Sequence, residues 1–228
     1  MEHPRTIRSF VTRAGRITDG QQRALEESWP KYGVEFDSTQ LLDLDALFRR
    51  RAPRVLEIGF GNGENLAALA TAHPEADYLG IEVHRAGVGR LLLAAETAQL
   101  TNVRIACHDA VEVLQHQLAP ASLDEMLILF PDPWHKKRHH KRRLIQPPFV
   151  ELAASRLKSG GVLRLATDWE PYAIQMLEVL EASPSLENLA PGGGYIEKTA
   201  ERITTRFEKR GQRLGHGVWD LAFQRRSQ

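Results

Sequence analysis

From Arg54 to Glu181 the chain repeats one pattern: a short, continuously apolar run, a break, then a longer stretch with helical spacing. The apolar runs Arg54–Ile58, Tyr78–Val83, Val103–His108, Met126–Phe130 and Val162–Ala166 read as strands. Helices are expected between and after them, near Asn65–Ala72, Arg85–Gln99, Ala110–Gln117, Pro148–Leu157 and Tyr172–Glu181. Strands that are apolar throughout are buried on both faces. That requires a mostly parallel sheet with helices on each side, an α/β fold. Two helices, about Gln21–Trp29 and Gln40–Arg50, precede the first strand, and Val218–Phe223 reads as a last one. Residues 183–194 read as loop, given Pro184, Pro191 and Gly192-Gly193-Gly194. With 228 residues there is core enough for one domain, expected over 21–228 behind a flexible basic arm at 1–20.

Three strands close on acids. The first runs into Glu57-Ile58-Gly59-Phe60-Gly61-Asn62-Gly63, where glycines at alternate positions let the backbone turn tightly against a ligand. In an open α/β sheet, ligands bind at the carboxyl ends of the strands, beside such a turn. The spacing is G-x-G-x-G, not the G-x-G-x-x-G of a dinucleotide site, and Glu57 is unwelcome to a pyrophosphate. That carboxylate suits a cationic ligand such as S-adenosylmethionine. Glu82 and Asp109 end the next two strands, placed to hold ribose hydroxyls and an adenine amino group respectively. Each has a plainer reading as a solvated acid, and Asp109 also as a helix N-cap.

These residues resemble a class I S-adenosylmethionine-dependent methyltransferase over about residues 53–226. The resemblance implies a Rossmann-like three-layer sandwich, with a seven-stranded, mostly parallel sheet and an antiparallel last strand. It also implies cofactor contacts from Glu57, Gly59, Gly61, Gly63, Glu82 and Asp109.

The most distinctive stretch is MLILFPDPWHKKRHHKRR at 126–143. An apolar strand ends in Pro131-Asp132-Pro133-Trp134, a rigid turn presenting one carboxylate and one aromatic ring. Lys136, Lys137, Arg138, Lys141, Arg142 and Arg143 follow with no acid among them. So many adjacent cations are costly unless an anion neutralises them, which points to a nucleic-acid surface beside a chemical site. Thr167-Asp168-Trp169 and Thr205-Arg206-Phe207-Glu208 complete a set that is similar to the tRNA (guanine-N7-)-methyltransferase family. The arm, with Arg8-Ser9-Phe10 and Arg13, is similar too. By that resemblance the methyl acceptor is N7 of the variable-loop guanine of tRNA. Asp132 joins the cofactor set and carries the catalytic role. Lys136, Arg138, Asp168, Thr205, Arg206, Phe207 and Glu208 contact substrate.

The chemistry agrees with that resemblance. Guanine N7 has an in-plane lone pair and no proton, so no general base is needed. Alignment, and stabilisation of the cation formed on the base, are needed instead. Asp132 suits that electrostatic task, Trp134 could stack on the base, and Asp168 and Glu208 suit the donors on the guanine Watson–Crick edge. The plainer readings are a rigid turn for the Pro-Asp-Pro-Trp segment, a solvated face for the cations, and a surface turn for residues 205–208.

Net charge is only +1, so the basic face sits on a near-neutral body and favours local docking over general coating. The first sixteen residues add Arg5, Arg8, Arg13 and Arg16 against Glu2 alone. No apolar run is long enough to span a membrane and the N-terminus has no apolar leader, so a cytoplasmic protein is expected. Cys107 is the only cysteine, which leaves no disulfide and no cysteine zinc site, and its expected role is a small buried hydrophobe. His135, His139 and His140 suit RNA contact or exposure better than a metal. No obligate protein partner is evident, and monomer and homodimer both remain open. The rival enzyme is an amino-group methyltransferase, whose Pro-Pro pair after the acid this chain lacks. A dehydrogenase is disfavoured by the glycine spacing, and a non-catalytic RNA-binding module by the intact strand-end acids.

Overall fold

The computed structural model describes residues 8–11, 15–199, 202, 208 and 217–227. One eight-stranded sheet organises them. In chain order its strands are β1 (Gly33–Val34), β2 (Arg54–Ile58), β3 (Asp77–Ile81), β4 (Val103–Ala106), β5 (Leu123–Leu129), β6 (Leu157–Thr167), β7 (Leu186–Asn188) and β8 (Trp219–Arg225). Their spatial order is β1-β4-β3-β2-β5-β6-β8-β7, parallel from β1 to β6, with β8 antiparallel to β6 and β7 antiparallel to β8. The mostly parallel sheet with an antiparallel C-terminal strand is as expected. Two strands are additions. Gly33–Val34 pairs with Ile105–Ala106 as an eighth strand, and Leu186–Asn188 pairs with the far side of β8 inside the stretch read as loop. Both are two or three residues long, too short to show a period.

Alternate residues of one strand serve different cores. Leu56 and Ile58 of β2, with Met126 and Ile128 of β5, pack into one apolar cluster; Val55 and Leu127 pack into the other. The first cluster lies under α6 (Ala110–His116), α7 (Pro147–Arg156) and α8 (Glu170–Glu181). The second lies under α1 (Asp19–Glu27), α4 (Glu64–Ala72) and α5 (Arg85–Thr97). Burial on both faces is why these strands carry no polar alternation, and each fully buried Leu or Ile contributes about 1.5–3 kcal/mol. Two further α-helices are short, α2 (Trp29–Tyr32) and α3 (Leu44–Phe48). The N-terminus of α1 is set by a capping box between Thr18 and Gln21, so ordered helix begins within the segment read as arm. Among the described residues no helix is long and apolar enough to cross a membrane.

Candidate active site

The carboxyl ends of β2, β3, β4 and β5 converge on a cavity of about 250 Å³, lined among others by Gly59, Gly61, Glu82, Asp109, Phe130 and Asp132. The glycine turn after β2 makes the floor. Gly59, Gly61 and Gly63 take positive φ of 71°, 57° and 75°, the left-handed region where a Cβ is penalised. At Gly59 an added Cβ would meet nothing within 4 Å, so this residue faces open space. Gly87, in the first turn of α5, lies so close that a Cβ there would come within 2.1 Å of the Gly61 carbonyl oxygen. The acid–glycine spacing did not reveal that second contact, because its partner sits in another helix.

Glu82 organises this floor. One carboxylate oxygen accepts from the backbone N–H of Val83 and His84 at 2.7 and 3.0 Å; the other accepts from Gly61 N–H at 2.9 Å. A carboxylate offers about four acceptor positions. Three are filled, which leaves an open acceptor position facing the cavity. Asp109 has both of its suggested roles: it caps α6 by accepting from Val111 N–H at 2.9 Å, and it lines the cavity. Burial pushes its carboxyl above the usual range, with the Val111 bond opposing.

Glu57 and Gly63 do not line the cavity. Glu57 is 2% exposed, lies behind the glycine turn, and accepts from Asn65 Nδ2 at 3.1 Å. Burial raises its pKa to about 7, against the lowering effect of Asn65. In strand β2 it shares the alternation of Val55, opposite to Leu56 and Ile58. At Gly63 a Cβ would meet Leu91 at 2.6 Å, which makes it the packing glycine of the turn.

The rim is the turn after β5. Phe130 and Trp134 bracket Pro131-Asp132-Pro133 and both have positive φ, 53° and 47°. For side chains with a Cβ such a backbone costs on the order of 1–3 kcal/mol each, so the surroundings must hold it. Phe130 N–H donates to the Ala166 carbonyl at 2.8 Å, and the Arg202 guanidinium lies 5.5 Å over its ring. Trp134 Nε1 donates to the Ser9 carbonyl at 3.0 Å, while Arg142 covers its ring at 5.1 Å and His139 meets it edge-on at 5.9 Å. Trp134 is thus engaged by its own protein through its indole N–H and its ring. Asp132, fixed between two rigid residues, stands exposed at the cavity rim. Ser9 and Phe10 also line the cavity, so the N-terminal segment forms part of its wall.

Beyond the rim, Lys137–Arg142 forms a 3-10 helix carrying the cations, with Lys136, Lys137, Arg138 and Lys141 exposed. Arg143 departs from the patch: it is 4% exposed and turned inward. Desolvation, and then Arg138, Arg142, Lys136 and Lys141, hold His139 below the usual histidine range. Among the described residues no group of His, Cys, Asp and Glu could hold a metal ion. Cys107 is half-buried, and burial pushes its thiol up.

Asp168 is half-buried at the end of β6, just before α8, on the same sheet edge as Asp132. Glu208 is 2% exposed and paired with Lys198 at 2.9 Å and Arg202 at 2.7 Å, and Arg202 in turn meets Asp220 at 2.8 Å. Through Arg202, which lies over the Phe130 ring, Glu208 is linked to the rim of the cavity. Thr205, Arg206 and Phe207 lie outside the described residues.

The cavity suits the cofactor the resemblance implies. It has an open glycine floor, a ribose-sized acceptor position on Glu82, a hydrogen-bond acceptor in Asp109, and a carboxylate at the mouth.

Comparison with known proteins bears on the same residues. A family model described as "Putative methyltransferase" matches residues 51–221. The chain is 58% identical over 221 residues to the tRNA (guanine-N(7)-)-methyltransferase of Stutzerimonas stutzeri (strain A1501), covering 97% of this chain and 92% of that one. A protein of the same name from Burkholderia thailandensis is 58% identical over 224 residues, covering 98% and 83%. Among solved structures, the 16S rRNA methyltransferase KamB superposes with a TM-score of 0.59 at 15% identity, over 82% of this chain and 95% of that one. A SAM-dependent O-methyltransferase from Thermotoga maritima gives 0.52 at 16% identity, over 83% and 68%. Identities so low speak for the fold alone.

Proposed function

The chain belongs to the tRNA (guanine-N(7)-)-methyltransferase family, and from that premise we propose that it methylates N7 of the variable-loop guanine of tRNA. The observation that carries this reading is a junction: the turn holding Asp132 at the mouth of the cofactor cavity continues directly into the exposed cations of residues 136–142. RNA docked by its phosphates on those cations brings a base to the mouth.

S-adenosylmethionine, which Gly59, Gly61, Glu82 and Asp109 would hold, would supply an electrophilic methyl group on a cationic sulfur. Guanine N7 would take that methyl group through its in-plane lone pair, the sulfur leaving as a neutral thioether. No proton moves in that step, so no residue has to act as a general base. Positive charge passes from sulfur to the guanine ring. Asp132 stands where that charge develops and offers it a fixed counter-charge. Asp168 accepts from the guanine Watson–Crick edge, which turns N7 toward the methyl group. Lys136 and Arg138 hold phosphate. Glu208 shapes the substrate side from behind, through Arg202, while residues 205–207 supply the direct contacts. In this reading residues 1–20 are a basic arm of which Ser9 and Phe10 line the cavity, 21–228 are the catalytic domain, and the protein works in the cytoplasm.

The test is incubation with tRNA lacking the modification and methyl-labelled S-adenosylmethionine, followed by strand scission specific for N7-methylguanosine. One cut in the variable loop is expected. Label incorporated without a cut would transfer the reading to an exocyclic nitrogen, and no label with tRNA still bound would leave an RNA-binding protein.

A further inference from the structure

We propose that Arg143 is a positioning residue that sets Asp132 and Asp168 relative to each other, and that it does not bind RNA. The proposal rests on the methyl-transfer reading above. Arg143 closes the cationic run, yet Lys137, Arg138 and Lys141 are exposed while Arg143 is 4% exposed. Its guanidinium is shared between two elements. Nε donates to the Pro133 carbonyl at 2.9 Å, in the residue that follows Asp132. Nη1 donates to Gln175 Oε1 at 2.9 Å and to the Pro171 carbonyl at 3.4 Å, both in α8, which begins two residues after Asp168. Nη2 lies 3.2 Å from His140 Nε2, and the group sits 4.7 Å over the ring of buried Tyr172.

The chain just after Arg143 is tied to the same helix. Tyr172 Oη accepts from Ile145 N–H at 3.2 Å, and Gln175 Nε2 donates to the Ile145 carbonyl at 2.8 Å. One planar fork thus spans the peptide beside Asp132 and the helix that follows Asp168. A lysine carries all its donors on one atom and lacks the planar fork that reaches these acceptors from separate nitrogens. The turn it holds has two residues at positive φ, a conformation that persists only where neighbours enforce it. A second link, the edge-on contact of His135 with Trp169 at 4.3 Å, keeps turn and helix together without Arg143. Loss of the fork therefore loosens the carboxylates without releasing the turn. Misplacement by about 1 Å costs a positioned reaction about 100-fold in rate.

The experiment uses the full chain with Arg143→Gln and Arg143→Lys beside wild type. It measures single-turnover methyl transfer to tRNA, tRNA affinity as a function of salt, and the stoichiometry of S-adenosylhomocysteine binding. Both variants are expected to lose about 100-fold in single-turnover rate, with tRNA affinity, salt slope and cofactor stoichiometry unchanged. A merely structural role would lower stoichiometry and activity together, and that result overturns the proposal. So does a rate within threefold of wild type, or a salt slope reduced by about one phosphate contact. If neither variant folds, Gln175→Ala, which removes the shorter of the fork's two helix contacts together with the Gln175–Ile145 bond, is expected to lose at least about tenfold at full stoichiometry; an unchanged rate refutes the idea. Wild type failing to methylate tRNA would instead refute the methyl-transfer reading.

Discussion

Replacing Glu82 by Gln keeps the shape of the cavity floor and removes its charge, so the effect can be worked from three bonds. The wild-type carboxylate accepts at 2.7 and 3.0 Å on one oxygen and at 2.9 Å on the other. Gln keeps one carbonyl oxygen, which still serves Val83 and His84, but turns an amide donor toward the Gly61 N–H. One charge-assisted bond, about 1.5–3 kcal/mol, is lost, and two others fall to neutral strength at about 1 kcal/mol each. The total is about 4 kcal/mol. Part appears as lower fold stability, because Glu82 is 6% exposed and bonds to its own protein's backbone. The rest appears in cofactor binding, which must re-form the glycine turn. If half falls there, the Kd for S-adenosylhomocysteine weakens by about 30-fold. Titration calorimetry on both proteins measures it directly. Transfer at saturating cofactor should recover to within about tenfold of wild type, since Glu82 lies at the floor and not at the reacting atoms. A Kd within threefold of wild type, with an unchanged melting temperature, would refute the view that Glu82 builds the floor.

Asp132→Asn removes the counter-charge at the cavity mouth and should slow single-turnover transfer by about 100-fold or more with tRNA affinity retained, by quench-flow with labelled cofactor. Glu57→Gln should change the pH dependence of stability. With its folded pKa raised to about 7 from 4.5, Glu57 binds more protons folded than unfolded between those values, so it costs the fold increasing stability as pH rises from 4.5 to 7. Its replacement should flatten denaturation midpoints across that window and stabilise the protein at pH 8 by up to about 3 kcal/mol. A variant less stable than wild type at pH 8 would refute that account. Charge removal from exposed Lys137, Arg138 and Lys141 together should weaken tRNA binding and lower the slope of log affinity against log salt by up to about 2. An unchanged slope would move the RNA surface elsewhere.

Much of this molecule is written locally. Apolar runs without alternation specify strands buried on both faces, and they recur with the spacing of a parallel sheet, so the layers and the ligand edge follow from sequence. The glycines after β2, the acids at strand ends and the Pro-Asp-Pro-Trp turn are equally local, because each is a rule about backbone conformation within a few residues. The same reasoning failed for β1 and β7, two or three residues long, whose strand character comes wholly from the neighbours they pair with.

What tertiary structure alone decided is which partner each charged or aromatic side chain takes. Arg142 and Arg143 are adjacent and chemically equal in sequence. One covers Trp134, and the other is buried against a helix more than twenty residues away. Trp134 looked free to stack until its indole met the carbonyl of Ser9, a residue 125 positions earlier. Glu208 takes Lys198 and Arg202 as partners, and Glu57 takes Asn65 of α4, none of which the local sequence indicates. The physical reason is common to all four. Backbone conformation depends on near neighbours, whereas the burial and pairing of a long polar side chain depend on whatever distant segment the fold brings within about 3 Å of its tip.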